Sequence, residues 1–544
     1  MFRPAKARWR PAGLNFYTGT GPGLPVRLQL CGAAFNLTSR NNDGESLNGK
    51  IKHQLTLRNK LHLSSVLPKY LIYKIFRAQN IPGEPFVPIV GQVPDIPAYA
   101  KVDKGRNEYE FDLNVKHGDI CIIMQGPSVC LLIRDASFIS DALKKYSKYY
   151  IKPKLFRTVF SALMGEHNLL VSEGDVHDRS RKALNPAFHF VNLQSMTSIM
   201  VQQTTNTIDQ WSKMMLGSTV NLQKELNSLT LSIILSSAFG ADAQAKDTML
   251  KSIDAVLHAV EYRTFEVPIS QIPLLHKLPI LKKQIMDKNV GQISAIVERL
   301  VGDRKLKKSQ SLCQGDDLLD LLLMARDQDL NPFTEQQVRD EAMAFVLAGH
   351  ETTGNLLVWC FYILMTHPDV YQDCKDEVAR VLRGQPPDYS QLSELHVIEA
   401  VLQETLRLYP PAPTVVRECI HEHLIGPEGN QIRVPVGAEI IVNIYGVHRS
   451  EKYWTNPTKF DYKRWMRKED GVKPKLAHPF CYLPFSAGNR NCIGQNFAML
   501  EAKVMLAMIV QRLHFELVSG QNIVPLVTIT MRTKYGLQAN VYLR

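Results

Sequence analysis

The chain has 544 residues, 45% hydrophobic and 21% charged, with a formal net charge of +12, an ordinary globular composition with ample length for a large core. Its nine cysteines are scattered, with no Cys-x-x-Cys pair, which argues against a disulfide framework or a zinc site and for a reducing compartment. The positive charge suits an acidic partner or an anionic membrane surface, but no basic helix with interleaved aromatics appears, so nucleic acid is set aside.

The first eighty residues differ from the rest. Up to Asn42 there is no Asp or Glu, while Arg3, Lys6, Arg8, Arg10, Arg27 and Arg40 are basic. That is the composition of a mitochondrial transit peptide; a disordered tail, or a mis-assigned first exon in place of an anchor, competes with it. No apolar run there approaches the roughly eighteen residues of a membrane span. Asn36-Leu37-Thr38 matches a glycosylation sequon of a kind common by chance, and Gly19-Thr20-Gly21-Pro22-Gly23 lacks the third glycine, strand and helix of a dinucleotide fingerprint. Leu67 to Phe76, with Lys69, Tyr70, Tyr73 and Lys74, reads as a short interfacial helix. Residues 1–80 are therefore expected to form an atypical basic segment, and residues 81–544 a single domain opening at Ile81-Pro82-Gly83.

Within that domain, Ile120–Met124 and Ser128–Ile133 flank Gly126-Pro127 and predict a hairpin. Helical periodicity then dominates to about Leu408, and strand-like stretches return at Ile432–Val434, Ala438–Val442 and Val524–Leu543. The expected class is mainly α with small peripheral β-sheets. The run Arg304-Lys305-Leu306-Lys307-Lys308 reads as a solvated inter-helix loop, and His421-Glu422-His423 as a solvated strand end. Pro268, Pro273, Leu274, Leu275, Leu278 and Pro279 form an apolar, proline-broken stretch.

Thr334 to Thr366 predicts one long helix, with Thr334 and Gln337 as a capping box and His367-Pro368 as the stop. At 1.5 Å per residue it spans roughly 50 Å. Its middle, Ala342 to Gly349, is apolar all round, and His350-Glu351-Thr352-Thr353 follow at once. An acid and hydroxyls inside an apolar helix need partners. Either the hydroxyl bonds its own i−4 carbonyl beside an exposed Glu, or the pair moves protons. Further on, Glu404-Thr405-Leu406-Arg407 places opposite charges at i and i+3, and Pro410-Pro411 ends that helix.

Near the C-terminus the chain reads Pro484-Phe485-Ser486-Ala487-Gly488-Asn489-Arg490-Asn491-Cys492-Ile493-Gly494, followed by a helical run from Gln495 to Arg512. A metal-ligating thiolate needs positive charge and hydrogen-bond donors around the sulfur. Gly488 and Gly494 permit a tight turn with N–H groups aimed at the sulfur, the following helix adds partial positive charge, and Phe485 is placed to shield the sulfur from water. The bland alternative for Cys492 is a buried structural cysteine.

The spacing Phe-x-x-Gly-x-Arg-x-Cys-x-Gly at residues 485–494, Ala-Gly-x-Glu-Thr at 348–352 and Glu-x-x-Arg at 404–407 together resemble the cytochrome P450 family, in order and over roughly Ile81 to Arg544. The resemblance implies the P450 fold and a haem-dependent monooxygenase that inserts one oxygen atom from O2 into a lipophilic organic substrate. It makes Cys492 the axial ligand of haem b iron and assigns Glu351 and Thr352 to proton delivery. Arg464, in Phe460-Asp461-Tyr462-Lys463-Arg464-Trp465, would join Glu404 and Arg407 in a buried structural triad, with Tyr462 standing where the family has proline. His177, where the family commonly has Trp, and Arg181 four residues later would reach a haem propionate, as would Arg417 and Arg490. No flavin or nicotinamide fingerprint is present, so a separate reductase is implied. The proline-broken stretch implies peripheral association with the endoplasmic reticulum membrane, with the mitochondrion as alternative. The competing functions are a haem-thiolate sensor or carrier without turnover, and a peroxide-rearranging member of the same fold.

Overall fold

A computed structural model describes residues 66–544, apart from 97–98, 100–101, 216, 241–242, 264–279, 307–310, 312–316, 327–330, 468–470 and 473. The basic N-terminus, its sequon and glycine cluster, the stretch from Pro268 to Pro279, and Lys307-Lys308 lie outside the described residues.

Ten helices set the frame: α1 (66–78), α2 (Gly174–Leu184), α3 (Phe190–Ser212), α4 (Leu222–Phe239), α5 (Ala243–Glu261), α6 (Lys283–Lys305), α7 (Glu335–Thr366), α8 (Pro368–Leu382), α9 (His396–Leu408) and α10 (Gln495–Arg512). α7 is the axis. Its capping box forms as the sequence predicts, Gln337 N–H donating to Thr334 Oγ1 at 3.2 Å and Thr334 N–H to Gln337 Oε1 at 2.8 Å. α4 packs most extensively on α7. The approach depends on Gly354, where a Cβ would lie 2.1 Å from Asn227 Oδ1. α10 packs on α3, α8, α9 and α7, closing a helical core.

The strands of the described residues fall into four small sheets. The largest runs β1 (Ile120–Gln125), β2 (Ser128–Ile133), β8 (Glu439–Asn443), β5 (Thr414–Cys419) and β3 (Tyr150–Ile151), with only the β2–β8 pair parallel. The predicted hairpin forms, and its register pairs Ile120 with Ile133 through Gln125 with Ser128. Strands β6 (His423–Ile425) and β7 (Ile432–Val434) pair together, and β4 (Ser218–Asn221), β12 (Gln538–Leu543) and β9 (Leu513–Leu517) form a third sheet. The C-terminal stretch read as one strand region divides into β10 (Pro525–Val527), β11 (Met531–Thr533) and β12, because the chain turns at 528–530 and at Gly536, whose φ is +81°.

Two expectations change. Ile72 and Phe76 of α1 belong to the core beneath the large sheet, Phe76 with no exposed surface. Burying one such aromatic contributes about 1.5–3 kcal/mol. α1 therefore packs with the domain that the sequence reading opens at Ile81. Arg304 is not in a solvated loop: it lies in the last turn of α6, buried, bonded to Asp317 (2.7 and 2.8 Å), Asp320 (2.6 Å) and the Phe239 carbonyl. Those partners come from distant sequence, so a local run of like charges gave no sign of them.

Candidate functional site

The loop before α10 is held by its own backbone. Cys492 N–H donates to the Phe485 carbonyl at 2.9 Å, and Asn491 N–H to the Gly488 carbonyl at 3.2 Å. Gly488 has φ +73°, and a Cβ there would lie 1.9 Å from the Leu143 carbonyl oxygen, so only glycine fits. Gly494 has an ordinary φ of −85° and room for a Cβ. Its contribution is its amide, which bonds the Cys492 sulfur just before α10 begins.

Among the described free cysteines, Cys492 is exposed and Cys121, Cys130, Cys360, Cys374, Cys419 and Cys481 are buried. Burial nonetheless pushes the Cys492 thiol up, opposed by the Gly494 N–H and by Arg181. A sulfur that is desolvated yet accessible sits in a recess. Arg181, on α2, donates to the Asn491 carbonyl at 2.6 Å, to Asn491 Oδ1 at 2.9 Å and to Asn185 Oδ1 at 3.0 Å. It therefore grips the residue preceding the sulfur.

On α7, Phe345, Ala348 and Thr352 share one face at helical spacing, and Ala348 is exposed although its neighbours Val346 and Leu347 are buried. Phe188 joins this face to the cysteine loop: its ring packs edge-on against Phe345 at 5.6 Å and lies 4.0 Å from where a Gly494 Cβ would stand. The Thr352 hydroxyl donates to the Ala348 carbonyl at 2.8 Å, the local bond foreseen as the bland alternative. Glu351 does not follow that alternative, being buried at 3% exposure. Adjacent helical residues do not face one another, and the Glu351 carboxyl meets the Thr530 hydroxyl and the field of Arg532 instead of Thr352. Burial raises its pKa, while Thr530 and Arg532 oppose the rise.

The remaining cations gather elsewhere. Arg490 donates to the Ser172 carbonyl at 2.6 Å and pairs with Glu173. Arg417, on β5, donates to the Val416 carbonyl at 2.9 Å, and burial beside Arg490 lowers its pKa to about 10. His177 on α2 is buried, its Nδ1 2.9 Å from Asp178 Oδ1. Burial holds its pKa down at about 4. A neutral ring with Nδ1–H on Asp178 offers a lone pair at Nε2, so donation from Nε2 to a carboxylate requires a second proton.

Arg417 and Arg490 line one cleft with Tyr150, Lys152 and Glu173. Sequence reading missed Lys152, Tyr150 and Glu173. Glu173 directly precedes the stretch from Gly174 to Arg181, and that adjacency was the available signal; nothing local marks Lys152. Phe485 is half-buried and enters the cysteine loop through its carbonyl.

The expected triad is assembled away from this cleft. Glu404 accepts from Arg407 (2.8 and 2.9 Å), Arg464 (3.0 Å), Trp465 (2.8 Å) and the Asp461 N–H (2.9 Å). Arg407 spends its other N–H groups on the carbonyls of His448, Pro457 and Lys459. Tyr462, in the proline position, donates to Asp373 at 2.6 Å. His421 and Glu422 lead into β6, which begins at His423, with Glu422 pairing with Arg433 at 2.9 Å, and no metal-binding cluster occurs among the described residues.

A family model described as Cytochrome P450 matches residues 81–538. Cytochrome P450 4d8 of Drosophila melanogaster is 30% identical over 75% of this chain and 90% of its own length. The 11-oxo-beta-amyrin 30-oxidase of Glycyrrhiza uralensis is 30% identical over 77% of this chain and 80% of its own. Leukotriene-B4 omega-hydroxylase 3 of Mus musculus is 29% identical over 71% and 76% respectively.

Proposed function

The chain belongs to the cytochrome P450 family, and from that premise we propose that Cys492 ligates haem iron, that Arg417 and Arg490 hold the haem carboxylates, and that Thr352 and Glu351 serve proton delivery. As a member, it is a haem-dependent monooxygenase, taking O2, a lipophilic substrate and electrons from a separate reductase. Haem b with its cysteine ligand supplies the activation of dioxygen, the thiolate pushing electron density toward the iron.

The residues present fit that group. Cys492 is an accessible sulfur with an amide and a guanidinium beside it, which is what lowers a thiol toward its ligating form. Tyr150 Oη and Ser172 Oγ are buried without hydrogen-bond partners among the described residues, and such orphans mark places where a ligand group completes the bonding. The reading rests above all on Cys492, which combines access with these two stabilising contacts.

Thr352 keeps its lone pairs while donating to Ala348, so it can accept a hydrogen bond at the α7 face and pass a proton by rotating away from that carbonyl. Glu351 stands one residue behind, bonded to Thr530 beneath Arg532; it stores a proton on that side, and water must bridge it to Thr352. The reduced, CO-bound protein is expected to show the strongly red-shifted thiolate band, and Cys492→Ser to lose it. Thr352→Ala is expected to keep the band and still consume O2 while forming product about a hundred-fold more slowly, the lower end of what a positioned proton-transfer group contributes. A wild-type band at the imidazole-haem position would overturn the ligand assignment.

The relatives named for leukotriene B4 and 11-oxo-beta-amyrin support an extended, largely apolar substrate. The site of action proposed is the endoplasmic reticulum surface. No helix among the described residues is long and apolar enough to cross a membrane. Peripheral association is supported by α1, which turns Leu67 and Leu71 outward, 50% and 54% exposed, beside Lys74 while Ile72 and Phe76 face the core. Leu67→Ser with Leu71→Ser is expected to reduce co-flotation with anionic vesicles.

A further inference from the structure

Lys152 lies between β3 and Pro153, and the residue is 6% exposed. Its backbone N–H donates to Glu173 Oε1 at 2.8 Å. Its ammonium has no hydrogen-bond or ion-pair partner among the described residues, and the other Glu173 oxygen already holds Arg490. An ammonium removed from water without a partner is strongly disfavoured. Here the guanidiniums of Arg490 and Arg417 add repulsion. The cleft thus gathers Lys152, Arg417 and Arg490 around the single carboxylate of Glu173, with the unpartnered hydroxyl of Tyr150 on its wall.

Such an excess of enclosed donors matches two carboxylates, the number haem b carries. We propose that Lys152, with Tyr150 beside it, binds a haem carboxylate as a further cofactor-holding residue alongside Arg417 and Arg490. The proposal rests on the haem reading above. A substrate carboxylate would satisfy the same donors, and the test separates the two sources by being run without substrate.

The two accounts of Lys152 predict opposite signs. If no anion meets it, methionine relieves a buried unpaired charge and improves the fold. If a haem carboxylate meets it, methionine leaves that carboxylate short of a donor. Wild type, Lys152→Met and Lys152→Arg are prepared as holoenzymes in substrate-free buffer, and haem transfer to excess apomyoglobin is timed. The expected result is about ten-fold faster loss from Lys152→Met, equivalent to about 1.4 kcal/mol. Lys152→Arg should fall within about two-fold of wild type, since it restores a cation. All three should keep the red-shifted CO band, which shows the thiolate end undisturbed.

Unchanged haem loss from Lys152→Met with an equal or higher melting temperature overturns the proposal and leaves a substrate anion as the ligand of this amine. Faster loss that Lys152→Arg does not reverse also overturns it, as a packing effect. If wild type itself lacks the thiolate band, the failure lies in the ligation by Cys492, an outcome distinct from either, and the proposal falls with it.

Discussion

The cluster around Glu404 and the cleft around Lys152 both bury several charges, but only the first completes its bonding within the chain. Every N–H of Arg407 has an acceptor, and the Glu404 carboxylate receives five bonds. In the cleft three cations face one carboxylate, and an ammonium and a phenol lack partners among the described residues. Buried charge whose hydrogen bonds are complete serves the fold; buried charge left incomplete points outward, to a ligand.

The sharpest way to break the contrast is to cut the complete cluster. Arg407→Met removes two of the five bonds to the buried Glu404 and leaves the carbonyls of His448, Pro457 and Lys459 without their donor, and a loss of about 3–5 kcal/mol is expected, read by urea denaturation of the holoenzyme. An equal loss from Arg417→Gln would erase the distinction between the regions.

A third arrangement, a buried acid with no cation, sharpens it. Glu341 on α7 has no exposed surface and neither oxygen in a well-formed hydrogen bond; burial raises its pKa from 4.5 to about 8, the Leu169 amide opposing. Between those values the unfolded chain gives up the proton that the folded chain keeps, so this residue lowers stability as pH rises from about 4.5 to 8. Glu341→Gln should match wild type near pH 4.5 and exceed it at pH 8 by about 4 kcal/mol. Thermal melts across that range decide, and parallel profiles would mean that Glu341 ionises in the fold.

The smallest expected effect belongs to the incomplete cleft. Arg417→Gln should lower the stability of the holoenzyme in urea by only about 1.4 kcal/mol, the same about ten-fold weakening that appears as faster haem transfer. A shifted midpoint with unaltered haem transfer would make Arg417 a structural cation.

What could be read in the sequence was local. α7 and α10 run from Glu335 to Thr366 and from Gln495 to Arg512, where cap, breaker and periodicity agreed, and the hairpin forms about the Gly126-Pro127 turn. The structure also gathers Glu404, Arg407 and Arg464, though Arg464 could be named only through the family pattern. What escaped was long-range. Lys152 acquires its meaning from Glu173, Arg417 and Arg490, up to hundreds of positions away, and Arg304 from Asp317 and Asp320. Glu351 turns toward Thr530 because a hairpin from the C-terminal stretch packs there, which no pattern within α7 encodes.

The unbalanced cleft has a consequence for the life of the protein in a cell. Three cations that repel one another until anions arrive make the haem-free chain a less stable chain, and a ligand that binds only the folded form raises its population by mass action. Stability differences of one or two kcal/mol change how much of a protein escapes proteolysis several-fold. Haem supply is therefore expected to set the abundance of this polypeptide after synthesis. A pulse-chase in cells starved of haem precursors should show a shortened half-life, with an equal half-life in starved and fed cells breaking the link.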